Sequence, residues 1–209
     1  MNKNFIFSVM IVMALVFGLT VVGCDNGTTS KDTWSELTDF NKLNGTWKAN
    51  YSQGKRPIKD IAEEIGMPLD SSTQTMLGDI NVAINADITL TINTSDRTQA
   101  VTIKATATFS GGNINTVWPM LSMYLSMYSD VLEAGGVQVT LNDKKHSVTV
   151  DYTMPPEEIK DEEIQEMLNG GLQINQNGTK IKVPAESLQS EMPEIPGMLE
   201  MPELIFYKQ

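Results

Sequence analysis

The sequence contains one cysteine, Cys24, and one histidine, His146. A single cysteine cannot form an internal disulfide, so packing has to stabilise the fold, and an odd cysteine in a secreted chain needs another explanation. One cysteine and one histidine also leave no cluster with the ligand spacing of a zinc site. We therefore expect neither a metal nor a cofactor.

Catalytic motifs are lacking as well. The chain has no Gly-rich phosphate loop and no Gly-x-Ser-x-Gly elbow. His146 follows Lys144 and Lys145 at a predicted turn, where we expect it to be exposed, because a catalytic base needs an orienting partner and a nucleophile nearby. The acidic run 157–163 lacks the Gly-punctuated loop that wraps calcium and is interpreted as a solvated helix face. We name no catalytic residue and expect the protein not to be an enzyme.

Basic residues are scarce. Lysine and arginine number 15 against 26 acidic residues, which gives a net charge of −11. Such an acidic chain argues against a nucleic-acid partner and against electrostatic docking on anionic lipid head groups.

The N-terminus is the most informative segment. Lys3 precedes an apolar run, Phe5–Gly23, that ends at Cys24, which is typical of a secretory signal peptide. Val21-Val22-Gly23-Cys24 resembles the lipobox of bacterial lipoproteins, whose pattern is Leu, Ala or Ser, Gly or Ala, then Cys. Gly23 and Cys24 match this pattern, whereas the two valines depart from it. The alternative is a transmembrane helix, because the run is close to the roughly 20 residues needed to span a bilayer.

The lipoprotein resemblance implies a domain plan. Residues 1–23 would be the signal peptide, residues 24–40 the lipidated cysteine with a flexible tether, and residues 41–209 a single β-rich domain. Acyl chains such as palmitate on Cys24 would be the contact with the membrane, and two or more chains anchor a protein stably. We expect a lipid-anchored protein of the cell envelope and favour the outer membrane or cell surface. Asp25 resembles the inner-membrane retention signal of some bacteria, so the choice of membrane stays open.

Strict alternation of apolar and polar residues marks two consecutive segments. The apolar members are Ile80, Val82, Ile84, Ala86, Ile88, Leu90 and Ile92, followed by Val101, Ile103, Ala105, Ala107 and Phe109. Period-two alternation predicts an antiparallel pair of strands with one buried face. The first strand is so long that we expect a bend or bulge.

Four further regions carry strand signals. Residues 137–152 and 172–183 predict two hairpins, the second around Asn177-Gly178, which is a strong hairpin signal. Residues 47–51 and 204–207 predict a first and a last strand. The fold class is therefore mainly β, with about eight antiparallel strands forming a lipocalin-like barrel or a curled sheet.

Three helices are predicted, of which Pro119–Ala134 is unusually apolar and the other two, Ile58–Gly66 and Pro156–Leu168, are short. An apolar helix needs cover on most sides, so we expect Pro119–Ala134 to be buried. The chain has 13 methionines, several on this helix and several in the Pro-rich segment 191–203. Core filling, an adaptable binding surface and copper(I) binding are the three interpretations open for them.

Gly45-Thr46-Trp47 resembles the Gly-x-Trp opening strand of lipocalins, and residues 204–208 resemble the last strand of lipocalin-like bacterial lipoproteins. The resemblance implies a barrel that binds a small apolar ligand in its mouth. We expect a lipid-anchored module of this kind, with the helix packed over small residues of the strands. The speculative ligand-binding residues are Ala86, Ala105, Ala107, Met123, Met127 and Tyr128. The alternative is a structural or protein-interaction lipoprotein with a solid core, whose partner is an envelope protein.

Overall fold

The computed structural model describes residues 32–60, 71, 75, 77, 79–134, 136–169, 171–183 and 204–209. Its strands are β1 (Trp34–Glu36), β2 (Gly45–Pro57), β3 (Asn81–Asn93), β4 (Thr98–Ser110), β5 (Val137–Asn142), β6 (Ser147–Glu158), β7 (Gln173–Asn175), β8 (Lys180–Val183) and β9 (Leu204–Lys208). A 3-10 helix spans Phe40–Leu43, and the α-helices are α1 (Ile114–Ala134) and α2 (Asp161–Asn169).

The strands form one antiparallel sheet of nine, in the order β1-β7-β8-β9-β2-β3-β4-β6-β5. The prediction of a mainly β, antiparallel fold is confirmed, with one strand more than the eight predicted. The sheet is not closed, so the structure is the open alternative and not the barrel.

The pairing of β3 with β4 is the longest in the described sheet. It runs without interruption from Asn81 opposite Ser110 to Asn93 opposite Thr98. The alternating apolar residues of both strands share one face, which we call the inner face, and all but Leu90 and Phe109 of them are buried. The predicted antiparallel pairing and buried face are confirmed, and a one-residue slip from this register would turn the apolar side chains to solvent.

The expected irregularity lies in the neighbours of β3 and not in β3 itself. In β2, three steps from Gln53 to Arg56 face two steps of β3, so β2 carries one extra residue. In β6, the extra residue lies between Met154 and Glu157, where Pro155 and Pro156 stand. Proline cannot donate to a strand ladder, and a bulge is one of the few places in a sheet that tolerates it.

The main core lies on the inner face and includes residues from outside the sheet. Leu37, Leu43 and Ile159 are almost fully buried against the strands. Trp47 has no exposed surface, and its Nε1 donates a 2.7 Å hydrogen bond to the Leu43 carbonyl oxygen. The Gly-Thr-Trp segment therefore fixes the 3-10 helix against the start of β2.

Several predicted boundaries were wrong. Helix α1 begins at Ile114 and not at Pro119, because the turn at Gly111 and Gly112, both with positive φ, already starts it. Proline favours the first helical turn, but here it occupies the interior and removes one hydrogen bond. Helix α2 begins at Asp161 and not at Pro156, since β6 continues to Glu158.

Three other expectations concern the segments around these elements. Trp34–Glu36, placed in the predicted tether 24–40, pairs with β7 as strand β1. Ile58–Asp60 is helical, and the rest of the predicted helix Ile58–Gly66 lies outside the described residues. The signal segment, Cys24 and the Pro-rich segment 191–203 also lie outside them.

Candidate functional site

The three alanines of the predicted ligand site lie together on the inner face. Ala86 is directly opposite Ala105, and Ala107 is opposite Ile84. Ala105 also faces Val150 of β6, so the smallest side chains occupy the middle of the inner face. This arrangement leaves room above the sheet for another layer.

That room is occupied. Ala86, Ala105 and Ala107 are only 1–2% exposed. Partly buried apolar side chains pack against the same core cluster, among them Leu125 of α1 and Leu168 of α2. At so small an exposure, no water-sized space adjoins the alanine methyl groups, and the middle of the inner face is filled by protein.

The first turns of helix α1 are buried. Ile114, Val117 and Trp118 form a second cluster with Leu77 and Ile80. The indole Nε1 of Trp118, in turn, donates a 2.8 Å hydrogen bond to Oδ1 of Asp143 in the β5–β6 turn. The helix is thus tied to the end of the β5–β6 hairpin, which a sequence pattern alone does not predict.

Two methionines of α1 are exposed. Met120 is 44% exposed and Met123 is 62% exposed, although we expected a buried helix. The structure therefore places Met123 in solvent and the three alanines in the core. Met127 and Tyr128 lie within α1, but their side chains are not among those described. A ligand-binding role for all six residues stays a prediction.

His146 differs from the exposed turn residue that we expected. It has a positive φ of 47°, is half-buried, and its ring centroid lies 5.4 Å from that of Trp118.

The acidic run 157–163 was interpreted as a solvated helix face, and one of its acidic residues is not solvated. Glu163 is buried, and its carboxylate accepts a 2.9 Å hydrogen bond from the backbone N–H of Lys160 at the start of α2.

No family model, curated protein or solved structure matches the chain. Within the described residues, no three His, Cys, Asp or Glu side chains are grouped so as to hold a metal ion. None of the helices in that part of the chain is both long and apolar enough to cross a membrane. The functional argument therefore rests on the chain's own surfaces.

One surface was not predicted from the sequence. On the outer face of the sheet, Lys180 of β8 is opposite Tyr207 of β9, which is opposite Lys48 of β2. Lys182 is on the same face, and its Nζ lies 4.8 Å from the ring centroid of Trp34 in β1. We call these five residues the lysine–aromatic patch. The available signal was the spacing of Lys180 and Lys182 around the buried Ile181, which puts both lysines on the outer face.

Asp32 holds Lys180 of the patch in place. Lys180 Nζ lies 2.6 Å from Oδ2 of Asp32, and it lies 5.4 Å from the ring centroid of Tyr207. The hydrogen bond from Lys180 lowers the pKa of the Asp32 carboxyl, and the same bond raises the pKa of Lys180. The pair is therefore charged at neutral pH, and it fastens Asp32, two residues before β1, to β8.

Proposed function

We propose that the protein is a lipid-anchored lipoprotein of the bacterial cell envelope that acts through its surface on a protein partner. The anchoring is supported by the apolar run Phe5–Gly23, by the Gly23-Cys24 junction, and by Cys24 being the one cysteine of the chain. Acylation gives that lone cysteine a chemical role, whereas an internal disulfide is impossible for it.

The observation that carries the interaction role is the contrast between the filled inner face and the exposed methionines. A module that encloses a ligand needs an apolar hollow. The alanine row, which offers the smallest side chains, is buried against protein instead. Met120 and Met123, one helical turn apart, project from α1 into solvent. Methionine side chains are flexible and polarizable, so they suit adaptable contacts with another protein.

Anchoring is tested by changing Cys24 to Ser and following processing and incorporation of labelled palmitate. We expect uncleaved precursor without label, because the modified thiol has been removed. Normal cleavage and labelling of the variant would overturn the lipoprotein assignment.

The interaction surface is tested by placing a photo-crosslinking amino acid at Met123 in cells. A matched position is Thr153, which is exposed on the outer face of β6. We expect a discrete crosslinked species from position 123 that is absent from position 153. Equal crosslinking at both positions, or none at position 123, would contradict the proposed surface.

A small apolar ligand is the second candidate, because Ala86 and Ala105 lie opposite each other in a core cluster against which side chains of both helices pack. Entry would then require the side chains that cover the alanines to move aside. An apolar fluorescent probe should bind the folded domain, and Ala107→Leu should weaken that binding by filling the space. Ala83→Leu is the matched control, since Ala83 is half-buried on the outer face. If the wild-type domain binds no probe, or if both variants bind equally, the ligand role is wrong.

A further inference from the structure

The tripeptide Asn-Gly-Thr occurs twice in the described part of the chain. One copy, Asn44-Gly45-Thr46, lies at the start of β2, and the other, Asn177-Gly178-Thr179, lies in the turn between β7 and β8. A third copy, at 26–28, lies outside the described residues. Because the two described tripeptides are identical, a difference in their chemical reactivity has to come from the fold.

Asparagine before glycine can lose its side-chain amide without an enzyme. The backbone nitrogen of the glycine attacks Cγ of the asparagine, and its proton leaves with the amide as ammonia, which gives a five-membered succinimide. Water then opens the ring at one of its two carbonyl groups, and the product is aspartate or isoaspartate. In sum, an amide and water give a carboxylate and an ammonium ion, with no oxidation or reduction. Glycine favours the attack because it has no Cβ beside the nitrogen.

The fold leaves the Asn177 side chain free to react. Asn177 is exposed, and no hydrogen bond to another described residue holds its amide. Gly178 has a φ of 66°, and a methyl group added to its Cα would meet no atom within 4 Å outside its chain neighbours. Its N–H donates a 2.9 Å hydrogen bond to the Asn175 carbonyl oxygen, which the attack has to break. The succinimide therefore has space to form once one hydrogen bond of the turn opens.

The Asn-Gly pair at the start of β2 is held more firmly. Oδ1 of Asn44 accepts a 3.2 Å hydrogen bond from the backbone N–H of Thr94, and the amide has to give up this bond before it can react. Gly45 is part of a strand and is paired opposite Ile92. A methyl group at its Cα would lie 3.1 Å from Cε of Lys208. Ring formation here would disturb both a side-chain contact and a strand pairing.

The hairpin of β7 and β8 fastens β1 and the residues on both sides of it. The Thr33 carbonyl oxygen accepts a 3.1 Å hydrogen bond from the N–H of Gln176, which precedes Asn177 in the turn. After β1, the N–H of Leu37 donates a 2.8 Å hydrogen bond to the Leu172 carbonyl oxygen, and the Leu37 side chain is buried. A change in the turn therefore acts directly on the bond that holds Thr33.

Isoaspartate changes such a turn in a way that aspartate does not. In isoaspartate the main chain runs through the β-carbon, so the turn gains one backbone atom. This turn depends on close contacts, because Oδ1 of Asn175 accepts 2.9 Å hydrogen bonds from the N–H groups of Thr179 and Lys180. An additional atom between Asn175 and Thr179 shifts these donors away from their acceptor.

We propose that Asn177 is a site of spontaneous deamidation, and that its isoaspartyl product loosens the attachment of β1 to the β7–β8 hairpin. The first half rests on the exposed amide and the open space at Gly178, and the second half rests on the hydrogen bond between Gln176 and Thr33. The inference does not depend on the proposed anchoring or on the proposed partner. If Cys24 is the anchor, β1 is the first described strand after it, so the modification loosens the part of the sheet that the anchor holds.

The first experiment compares the two tripeptides within one molecule. The purified full chain is kept in mildly alkaline buffer at physiological temperature, and peptide mass spectrometry follows the conversion of each asparagine. We expect Asn177 to react about fivefold faster than Asn44, the factor that corresponds to about 1 kcal/mol for the hydrogen bond from Thr94. In urea the two rates should become equal. Equal rates in the folded protein, or a difference that persists in urea, would overturn the proposed site.

The second experiment measures amide hydrogen exchange by NMR in the isoaspartyl form, which chromatography separates from the unmodified protein. We expect the Gln176 amide to exchange about tenfold faster in the isoaspartyl form, the factor that corresponds to about 1.4 kcal/mol for one lost hydrogen bond. The matched control is Asn177→Asp, which adds the same charge with a normal backbone and should keep the exchange rate of the unmodified protein.

A second variant links the two measurements. Asn177→Gln keeps an amide but would need a six-membered ring, so it should neither convert at this position nor exchange faster after the same incubation. Faster exchange in incubated Asn177→Gln would show that another change loosens β1. Unchanged exchange in the isoaspartyl form, or equal acceleration in Asn177→Asp, would overturn the second half of the proposal. None of these readouts involves acylation or a partner, so their failure is distinct from failure of the proposed function.

Discussion

Replacing Ala105 by leucine tests whether the inner face is filled. Ala105 is 1% exposed and lies between Ala86 and Val150 in the strand pairings. Leucine adds three carbon atoms, which would stabilise the fold by about 2 kcal/mol if an empty apolar space received them. In a packed core the same atoms force neighbours apart, at a cost of about 1–3 kcal/mol. The two interpretations therefore predict opposite signs.

The assay is urea unfolding, in which the midpoint shifts with stability while the slope m stays constant. We expect Ala105→Leu to lower the midpoint. Ala83→Leu makes the same change on the outer face of β3, where Ala83 is half-buried, and should shift stability by less than about 0.5 kcal/mol. A higher midpoint for Ala105→Leu would refute the filled inner face and would favour an enclosed ligand.

Three other changes test the fold. Ile88→Asp should destabilise by about 3 kcal/mol or more, because it buries a charge, whereas Thr89→Asp should be mild, and equal unfolding midpoints would refute the assigned faces. Trp47→Phe should cost about 1–3 kcal/mol in urea unfolding, since it removes the partner of a buried carbonyl, and an unchanged midpoint would contradict that role. The lowered pKa of Asp32 means that its contribution to stability is present above about pH 3.9 and is lost as pH falls through the folded-state value. In Lys180→Met, the pKa of Asp32 measured by NMR should rise, and an unmoved pKa would contradict the ion pair.

The sheet could be predicted from the sequence because one of its faces is apolar and the other is polar. Alternation along residues 80–109 is enough to predict the two strands and their buried side, and Asn177-Gly178 predicts the β7–β8 hairpin. Strand β1 could not be predicted, because three residues are too few to show alternation. Trp34–Glu36 is a strand only through its pairing with β7, far along the chain.

The surfaces could not be predicted in the same way. Periodicity shows that α1 is apolar, but which residues are covered depends on contacts such as that of Trp118 with Asp143. For the same reason Met123 was expected near Ala105 and is exposed instead. The lysine–aromatic patch consists of residues 34, 48, 180, 182 and 207. These residues are far apart in the sequence and become neighbours only when the sheet has formed.

The position of β9 has a consequence for how the chain folds. In the described strands, β9 alone connects the β1-β7-β8 part of the sheet to β2 and the strands beyond it. The long strands β2, β3 and β4 can pair as soon as residue 110 is available, whereas β8 and β2 cannot be bridged before residue 208 arrives. Pairings between residues so far apart in sequence form slowly, because a long loop must close first. Until then the edges of β2 and β8 are open templates for strands of other molecules, so the arrival of β9 removes two edges at which the sheet could aggregate.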